Sequence, residues 1–418
     1  MKLATALITL CLLAGSVLAQ TAPTSVTVPI TLDHNRIIID VRFPLPDGSS
    51  KRVRAWLDNG NPDMWITGAL AQKLGLEVSG EVKDTPFGKE RTVPVPGVLQ
   101  VGGMALHATG LERAQVVLDR DSIGPGTSAE INLPSTVLRN YDVLVDYLNR
   151  ELTIAVPGTL HFKGTAAKAS LNPDNALIQL PAKIAGGDVN LALDVGAPFG
   201  LVSQDLLGKL RQAHPQWPHM TGGVGPANLW GLPEEAHWEL LRIPTLQYGG
   251  IPFTDVGVAS FPKEIMSWFE KRAGMPTAGL IGANALLNYR VGIDYAHGTV
   301  YFEQISKRHA PEMDVVGLTL RPEPDGNYSV IGVADFGGKP SVAEVKAGDV
   351  LVAIDKVPAK GGTMGQVWSL LSGSPGEVRT LTLDRAGKQF TVKATVYRFL
   401  SAEAKKRAKP KSAKMNQR

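Results

Sequence analysis

Short apolar runs with alternating polar neighbours recur along this chain, and most are bounded by Gly or Pro. Val53-Arg54-Ala55-Trp56-Leu57 and Val189-Asn190-Leu191-Ala192-Leu193 predict strands. So do Ala114 to Leu118, Glu151 to Val156, Asp255 to Ala259 and Gly298 to Glu303. Helix-like segments are few and brief, at 69–74, 205–210 and 364–371. Gly (44) and Pro (29) punctuate the runs often enough to favour an all-β reading over a mixed one.

Several of these elements come in pairs. Leu57-Asp58-Asn59-Gly60 and Leu193-Asp194-Val195-Gly196 each close an apolar strand and open a second apolar run followed by a helix-like segment. Val98-Leu99-Gln100-Val101-Gly102-Gly103-Met104 parallels Pro244-Thr245-Leu246-Gln247-Tyr248-Gly249-Gly250-Ile251. Asn140-Tyr141-Asp142-Val143-Leu144-Val145-Asp146-Tyr147 parallels Asn288-Tyr289-Arg290-Val291-Gly292-Ile293-Asp294-Tyr295. The likeness is weak residue by residue but keeps its order, as an internal repeat does.

Composition adds limits. A length of 418 residues with 44% apolar content fits two to four folded units. Lys2, the apolar stretch Leu3 to Val17 and the small-residue pattern Val17-Leu18-Ala19 read as a secretory leader over 1–19, too short for a comfortable membrane span. No later segment reads as a bilayer span. Cys11, the one cysteine, lies inside that leader, so the exported chain is expected to carry no disulfide and no thiolate metal site. The net charge of +4 is concentrated at the end: Lys405, Lys406, Arg407, Lys409, Lys411, Lys414 and Arg418 outweigh Glu403. The remainder is close to neutral or slightly negative and gives no reason to invoke nucleic acid. The basic end reads as a solvated, disordered tail over 398–418, with a weak tether to an anionic surface as the alternative.

The paired Asp-x-Gly turns carry the candidate chemistry. A lone turn of this kind is usually structural. Two in matching halves can bring Asp58 and Asp194 together. Two close carboxyls cannot both ionise, so they share a proton; one then serves as acid and the other as base toward a bound water. Gly60 and Gly196 let the backbone bend and the opposite half approach. In these residues the chain resembles the retropepsin-like and pepsin-like aspartic peptidases, which carry an Asp-Thr/Ser-Gly turn in each lobe and a later apolar-apolar-Gly segment threaded behind it. Leu280-Ile281-Gly282 resembles that segment, and Ile131-Asn132-Leu133-Pro134-Ser135 stands in its place in the first half. The resemblance implies two related lobes over about Val26 to Glu303, catalytic Asp58 and Asp194, and supporting roles for Asn59, Gly60, Val195, Gly196 and Gly282.

This sequence departs from that family where its hydroxyl residue follows each Asp. Asn59 can donate and accept in its place, but Val195 can do neither, which leaves the cross-lobe network incomplete. Pro134 removes a backbone donor behind the first turn. Asp146 and Asp294 read as structural strand ends. Thr85-Pro86-Phe87-Gly88 and Thr221-Gly222-Gly223-Val224-Gly225 have the spacing of lids over the pair, or are ordinary loops. His214, His219 and His237, crowded by Trp217, Trp230 and Trp238, fit no metal spacing, and no phosphate loop or serine nucleophile elbow is present. No metal or other cofactor is expected.

After Gln304 the composition changes. Val315 to Leu320, Tyr328 to Val333, the Lys346-Ala347-Gly348-Asp349-Val350-Leu351-Val352-Ala353-Ile354-Asp355 stretch, a helix over 364–371 and two further strands resemble a bacterial-type PDZ domain. That resemblance implies peptide binding as an added strand, with Val316, Gly317, Leu318 and Leu320 at the edge and Val367 and Leu371 lining a pocket. Asp314 is an awkward neighbour for a chain-end carboxylate, so an internal segment or the adjacent lobes are alternative occupants. The expected organisation is a leader at 1–19, lobes at 20–160 and 161–305, a linker at 306–313, the PDZ-like unit at 314–397 and the tail at 398–418. The expected function is an exported, periplasmic or extracellular, aspartic-type endopeptidase acting on peptide or protein substrates. The alternative is an inactive peptide-binding or scaffold protein on the same fold.

Overall fold

The computed structural model describes residues 23–45, 47–85, 88–108, 110–307 and 312–401. The fold is all-β and two-lobed, with 47% of the chain in strands against 14% in helices. The leader, the tail beyond Ser401 and the middle of the expected linker lie outside the described residues. Among those described, no helix is long and apolar enough to cross a membrane.

Each half builds one sheet, and the two sheets repeat each other pairing by pairing. In the first, Arg36–Pro44 runs antiparallel to Ser50–Asp58, which runs parallel to Ile131–Pro134. That strand is antiparallel to Trp65–Thr67, itself parallel to Arg113–Val117, which is antiparallel to Gly88–Pro94. In the second, Ile178–Ile184, Gly187–Leu193, Gly279–Ile281, Gly200–Ser203, Ile251–Phe261 and Glu239–Tyr248 follow in the same order with the same five senses. Where the first half has one broken hairpin, Gly88–Pro94 and Val98–Val101 returning as Met104–His107 and Arg113–Val117 around Gly102-Gly103, the second has one long unbroken hairpin turning at Gly249-Gly250. The duplication seen weakly in side chains is thus complete in topology.

Alternation explains the strands. Val53, Ala55 and Leu57 are buried on one face of Ser50–Asp58, while Arg52 is exposed on the other. Burial becomes two-sided at the strand's end, because there the second lobe covers the other face. The lobes are joined by a third, six-stranded sheet. At its centre Asp142–Asp146 and Tyr289–Asp294 run antiparallel, with Leu144 opposite Gly292. The paralleled segments of the repeat therefore meet each other across a local two-fold axis. Asp146 accepts from Arg290 at 2.7 Å and Asp294 pairs with His297 at 2.8 Å, so both close strand ends.

The C-terminal module is a sheet in the order Leu318–Pro322, Tyr328–Val333, Val350–Ile354, Val378–Arg385, Lys388–Thr395, with the helix Met364–Leu371 beside it. A reciprocal cap starts that helix: Thr363 Oγ1 accepts from the Gln366 amide and Gln366 Oε1 accepts from the Thr363 amide. Asp349 is buried in its turn by two bonds from Arg385 and one from the Lys346 amide. Two boundaries differ from the sequence expectation. Glu312 and Met313 are buried rather than linking, and Arg398-Phe399-Leu400 is folded rather than part of a tail. The reason is apolar: Phe399 is 1% exposed, donates its amide to Met313 O at 2.9 Å and packs edge-on against Phe336.

The module is not a separate bead. Val224, Ala227, Leu229 and Leu240 of the second lobe share one apolar core with Leu318, Leu320, Met364, Val367 and Leu371. A buried Arg242–Glu312 pair at 2.6 Å seals the same junction.

Candidate active site

Asp58 ends the strand Ser50–Asp58, and Asp194 follows the strand Gly187–Leu193. Each parent strand is flanked by its threaded neighbour: Pro134 stands opposite Asp58, and Ile281 opposite Leu193. Pro134 does not weaken this arrangement. It is the N-cap of the short helix Ser135–Leu138, where no backbone donor is required, and the next amide, Ser135, bonds to Asn61 O at 3.0 Å. Gly282 occupies the matching N-cap before Ala283–Leu286.

The turns touch across the lobes. A Cβ on Gly60 would run into the Asp194 carboxyl, and one on Gly196 into the Leu57 carbonyl oxygen. Gly282 is pressed against Phe199 in the same way, with a Cβ only 2.7 Å from its carbonyl carbon. These glycines are needed for close approach, since neither Gly60 nor Gly196 has a positive φ. Gly196→Ala should therefore force the turns apart and destabilise the protein by about 1–3 kcal/mol. Urea denaturation measures this, and an unchanged midpoint would show that the turns yield without cost.

Asn59 locks the turns. Its Nδ2 donates to Leu193 O and its Oδ1 accepts from the Val195 amide, both at 2.8 Å. The Val195 side chain is fully buried and only packs; its carbonyl accepts from Tyr147 Oη at 2.7 Å. Trp56 Nε1 reaches from the first lobe to Gly196 O at 3.0 Å. The cross-lobe network is thus supplied from the first half, by Asn59, Tyr147 and Trp56.

Both carboxyls are almost wholly buried, at 6% and 7% exposure. Asp58 Oδ2 accepts from Asn132 Nδ2 at 3.0 Å. Asp194 Oδ1 accepts from the Gly196 amide at 2.9 Å and the Ala197 amide at 3.0 Å. Burial pushes both pKa values above the ordinary carboxylate range, and for Asp58 the Asp194 charge pushes further. Hydrogen bonds and the Arg36 cation oppose the rise at each. The amides around Asp194 favour a charged carboxylate there, so the pair is asymmetric.

Sequence reasoning gave no role to three residues here. Asn132 is the polar member of a buried apolar strand, a signal that a partner must exist. His34 and Arg36 sit at the tip of a hairpin formed by Thr31–Asp33 and Arg36–Pro44 and are buried at 2% and 1%. Arg36 donates to His34 Nδ1 at 3.0 Å and to Leu229 O, and its guanidinium lies over the Trp56 ring at 5.3 Å.

Of the expected lids, the first is the hairpin Ser79–Thr85 with Gly88–Pro94, whose tip residues Pro86 and Phe87 lie outside the described residues. The second, Thr221 to Gly225, leads away to the C-terminal module, where Gly225 abuts Trp368. Among the described residues no three His, Cys, Asp or Glu side chains are grouped to hold a metal ion. His214 instead stacks on Trp217 at 4.2 Å.

The expected peptide groove of the module is filled by the second lobe. Leu318–Pro322 is an edge strand, and Asn228 pairs with it as a strand would: Nδ2 donates to Leu320 O at 3.0 Å and Oδ1 accepts from the Leu320 amide at 2.8 Å. Val367 and Leu371 are buried at 1% and 2%, in the core they share with Ala227 and Leu229. The Val316 amide bonds to Leu371 O and the Leu318 amide to Val316 O, while Phe399 packs on Gly317. Glu235, fully buried and pushed up to about 7 by burial, gathers the loop by accepting from Asn228 Nδ2 and the Trp230 and Leu232 amides.

Among solved structures, the crystal structure of an aspartic proteinase from Irpex lacteus is similar to this chain, at a TM-score of 0.41 and 11% identity, covering 68% of this chain and 100% of that one. No family model matches the chain, and no curated protein matches it. The chemistry of the site therefore rests on its own geometry.

Proposed function

We propose that this protein is an exported aspartic-type endopeptidase that hydrolyses peptide bonds with Asp58, Asp194 and a water. The observation that carries the reading is the pair itself: two buried carboxyls, one from each copy of a duplicated turn, held at a lobe junction that only glycines can close. One proton is shared. Asp194, surrounded by amide donors, is the charged member and Asp58 the protonated one. Asp194 takes a proton from water as its oxygen attacks the peptide carbonyl carbon, and Asp58 gives its proton to the carbonyl oxygen. The tetrahedral adduct then collapses. The amide nitrogen takes the proton held on Asp194, the C–N bond breaks, and a hydroxyl proton of the adduct returns to Asp58 as the carboxylic acid product leaves. Extended peptide and protein segments are the substrates, and the first hairpin lid would exclude water above them. The C-terminal unit is read as a PDZ-like module that braces the second lobe, its groove taken by residues 224–231.

Incubating the protein with unstructured polypeptides across pH 3–8 tests this. New internal termini should form, each incorporating one oxygen from labelled water, with a rate that falls as pH rises through the loss of the shared proton. Intact polypeptides at every pH would overturn it. A cleft that binds peptides without cutting them is the second reading. It is favoured by Val195, which leaves the lock dependent on Asn59; peptide binding without new termini would establish it.

A further inference from the structure

Arg36 is a cation sealed inside the protein beside the candidate dyad, and its surroundings account for its position. The His34 Nε2 lies 2.9 Å from Gly225 O, a carbonyl that can only accept, so Nε2 carries the proton and Nδ1 is free to accept from Arg36. The imidazole is therefore neutral, in keeping with burial and the adjacent cation holding its pKa down to about 3. Leu229 O takes a second guanidinium N–H, and Nε is buried with no hydrogen-bond partner among the described residues. The guanidinium covers Trp56, whose indole N–H holds Gly196 in the Asp194 turn. The titratable groups facing Arg36 are Asp33, His34, Asp58, Asp194, Glu235 and Tyr328, drawn from both lobes and the module.

The hairpin tip is fixed from the module. Asp33 Oδ1 accepts from Thr363 Oγ1 at 2.7 Å and from the Gly365 amide at 3.1 Å, and any side chain on Gly365 would strike Asp33. Trp368 packs on His34 with ring centroids 5.8 Å apart. Gly225 and Leu229, which hold His34 and Arg36, flank the Asn228 that closes the module's edge strand.

We propose that Arg36 is a positioning residue of the Asp58–Asp194 pair: through Trp56 it anchors the turn that carries Asp194, it supplies the buried positive charge against which the pair retains one proton, and the C-terminal module holds it there. This rests on reading the two aspartates as a proton-sharing pair. A module seated on Asp33 and His34 is then part of the electrostatics of the cleft, reaching the dyad without contacting substrate.

The test is carboxyl titration by carbon-13 NMR on the full chain labelled at aspartate, comparing wild type with Arg36→Met and Arg36→Lys. Losing the cation favours the protonated forms, so Arg36→Met should move the dyad's midpoints upward by about one pH unit. Arg36→Lys, which keeps the charge, should restore most of the shift. His34→Leu exchanges one neutral side chain for another, removing the guanidinium's partner and the bond to Gly225 O while keeping the Arg36 charge; it should move the midpoints in the same direction by less. If Arg36→Met does not fold, His34→Leu decides alone. A folded Arg36→Met variant with midpoints equal to wild type, or a folded His34→Leu variant with them where Arg36→Met does not fold, overturns the proposal. The titration needs no turnover, so a chain that cuts nothing still gives an answer, and failure of the peptidase reading is seen separately in the cleavage assay.

Discussion

Asp58→Asn and Asp194→Asn are each expected to lower peptide hydrolysis by about 10³-fold or more, while leaving the protein folded. Either change removes the shared proton's second seat, so acid and base can no longer alternate within one cycle. Stability should move the other way. A buried carboxyl whose pKa is raised on folding binds its proton more tightly in the native state. Its favourable contribution is complete below the unfolded value near 3.8 and is lost as pH rises through the raised folded value. Asp58→Asn abolishes that loss. Its melting temperature should match wild type near pH 4 and exceed it increasingly toward pH 8. Asp194→Asn should gain less, because the Gly196 and Ala197 amides at Oδ1 bond a charged carboxylate oxygen more strongly than a neutral amide oxygen. Undiminished cleavage by either variant, or a melting temperature below wild type at pH 8 for Asp58→Asn, would contradict the assignment.

The second large effect is on the junction with the C-terminal module. Asn228→Ala removes both bonds to Leu320 and one to Glu235, all inside a region closed to water. Stranded buried partners of this kind cost about 1–3 kcal/mol each, so a total loss of about 3–5 kcal/mol is expected in urea denaturation. Because the module and the second lobe share one apolar core, the loss should appear as a lower midpoint of a joint transition, not as release of a stable separate unit. Extended peptides should fail to bind the Leu318–Pro322 edge of the intact protein and should bind it once Asn228 is gone. Tight peptide binding by the unaltered chain would show that residues 224–231 leave the groove readily.

The fold is legible in the sequence because its signals are local and repeated. Alternation marks strands one by one, and a duplicated order of turns is visible even where the side chains have diverged. Gly60 and Gly196 stand out because a crowded turn tolerates no side chain. What stays hidden depends on groups far apart in the chain. Asn59 can be recognised as a donor and acceptor, but its two partners lie at 193 and 195. Arg36 and His34 look like ordinary turn residues, since their burial is created by Trp56, Gly225 and Leu229. Asn228 imitates a strand for an edge 92 residues away, and no periodicity announces that. The expected end of the module fell short at 397 because the basic run that follows masks the apolar pair Phe399-Leu400.

The bond between Asp33 and Thr363 spans 330 residues. A chain made from its N-terminus presents the first hairpin early, with Arg36 still lacking the carbonyls and rings that enclose it. Synthesis at roughly 5–20 residues per second separates the two partners by tens of seconds. The first lobe can form its sheet in that interval, yet the bonds that fix the hairpin tip through Asp33 wait for the C-terminal module. Assembly order thus becomes a timer: the hairpin that carries His34 and Arg36 is pinned only after Thr363, Gly365 and Trp368 have been made.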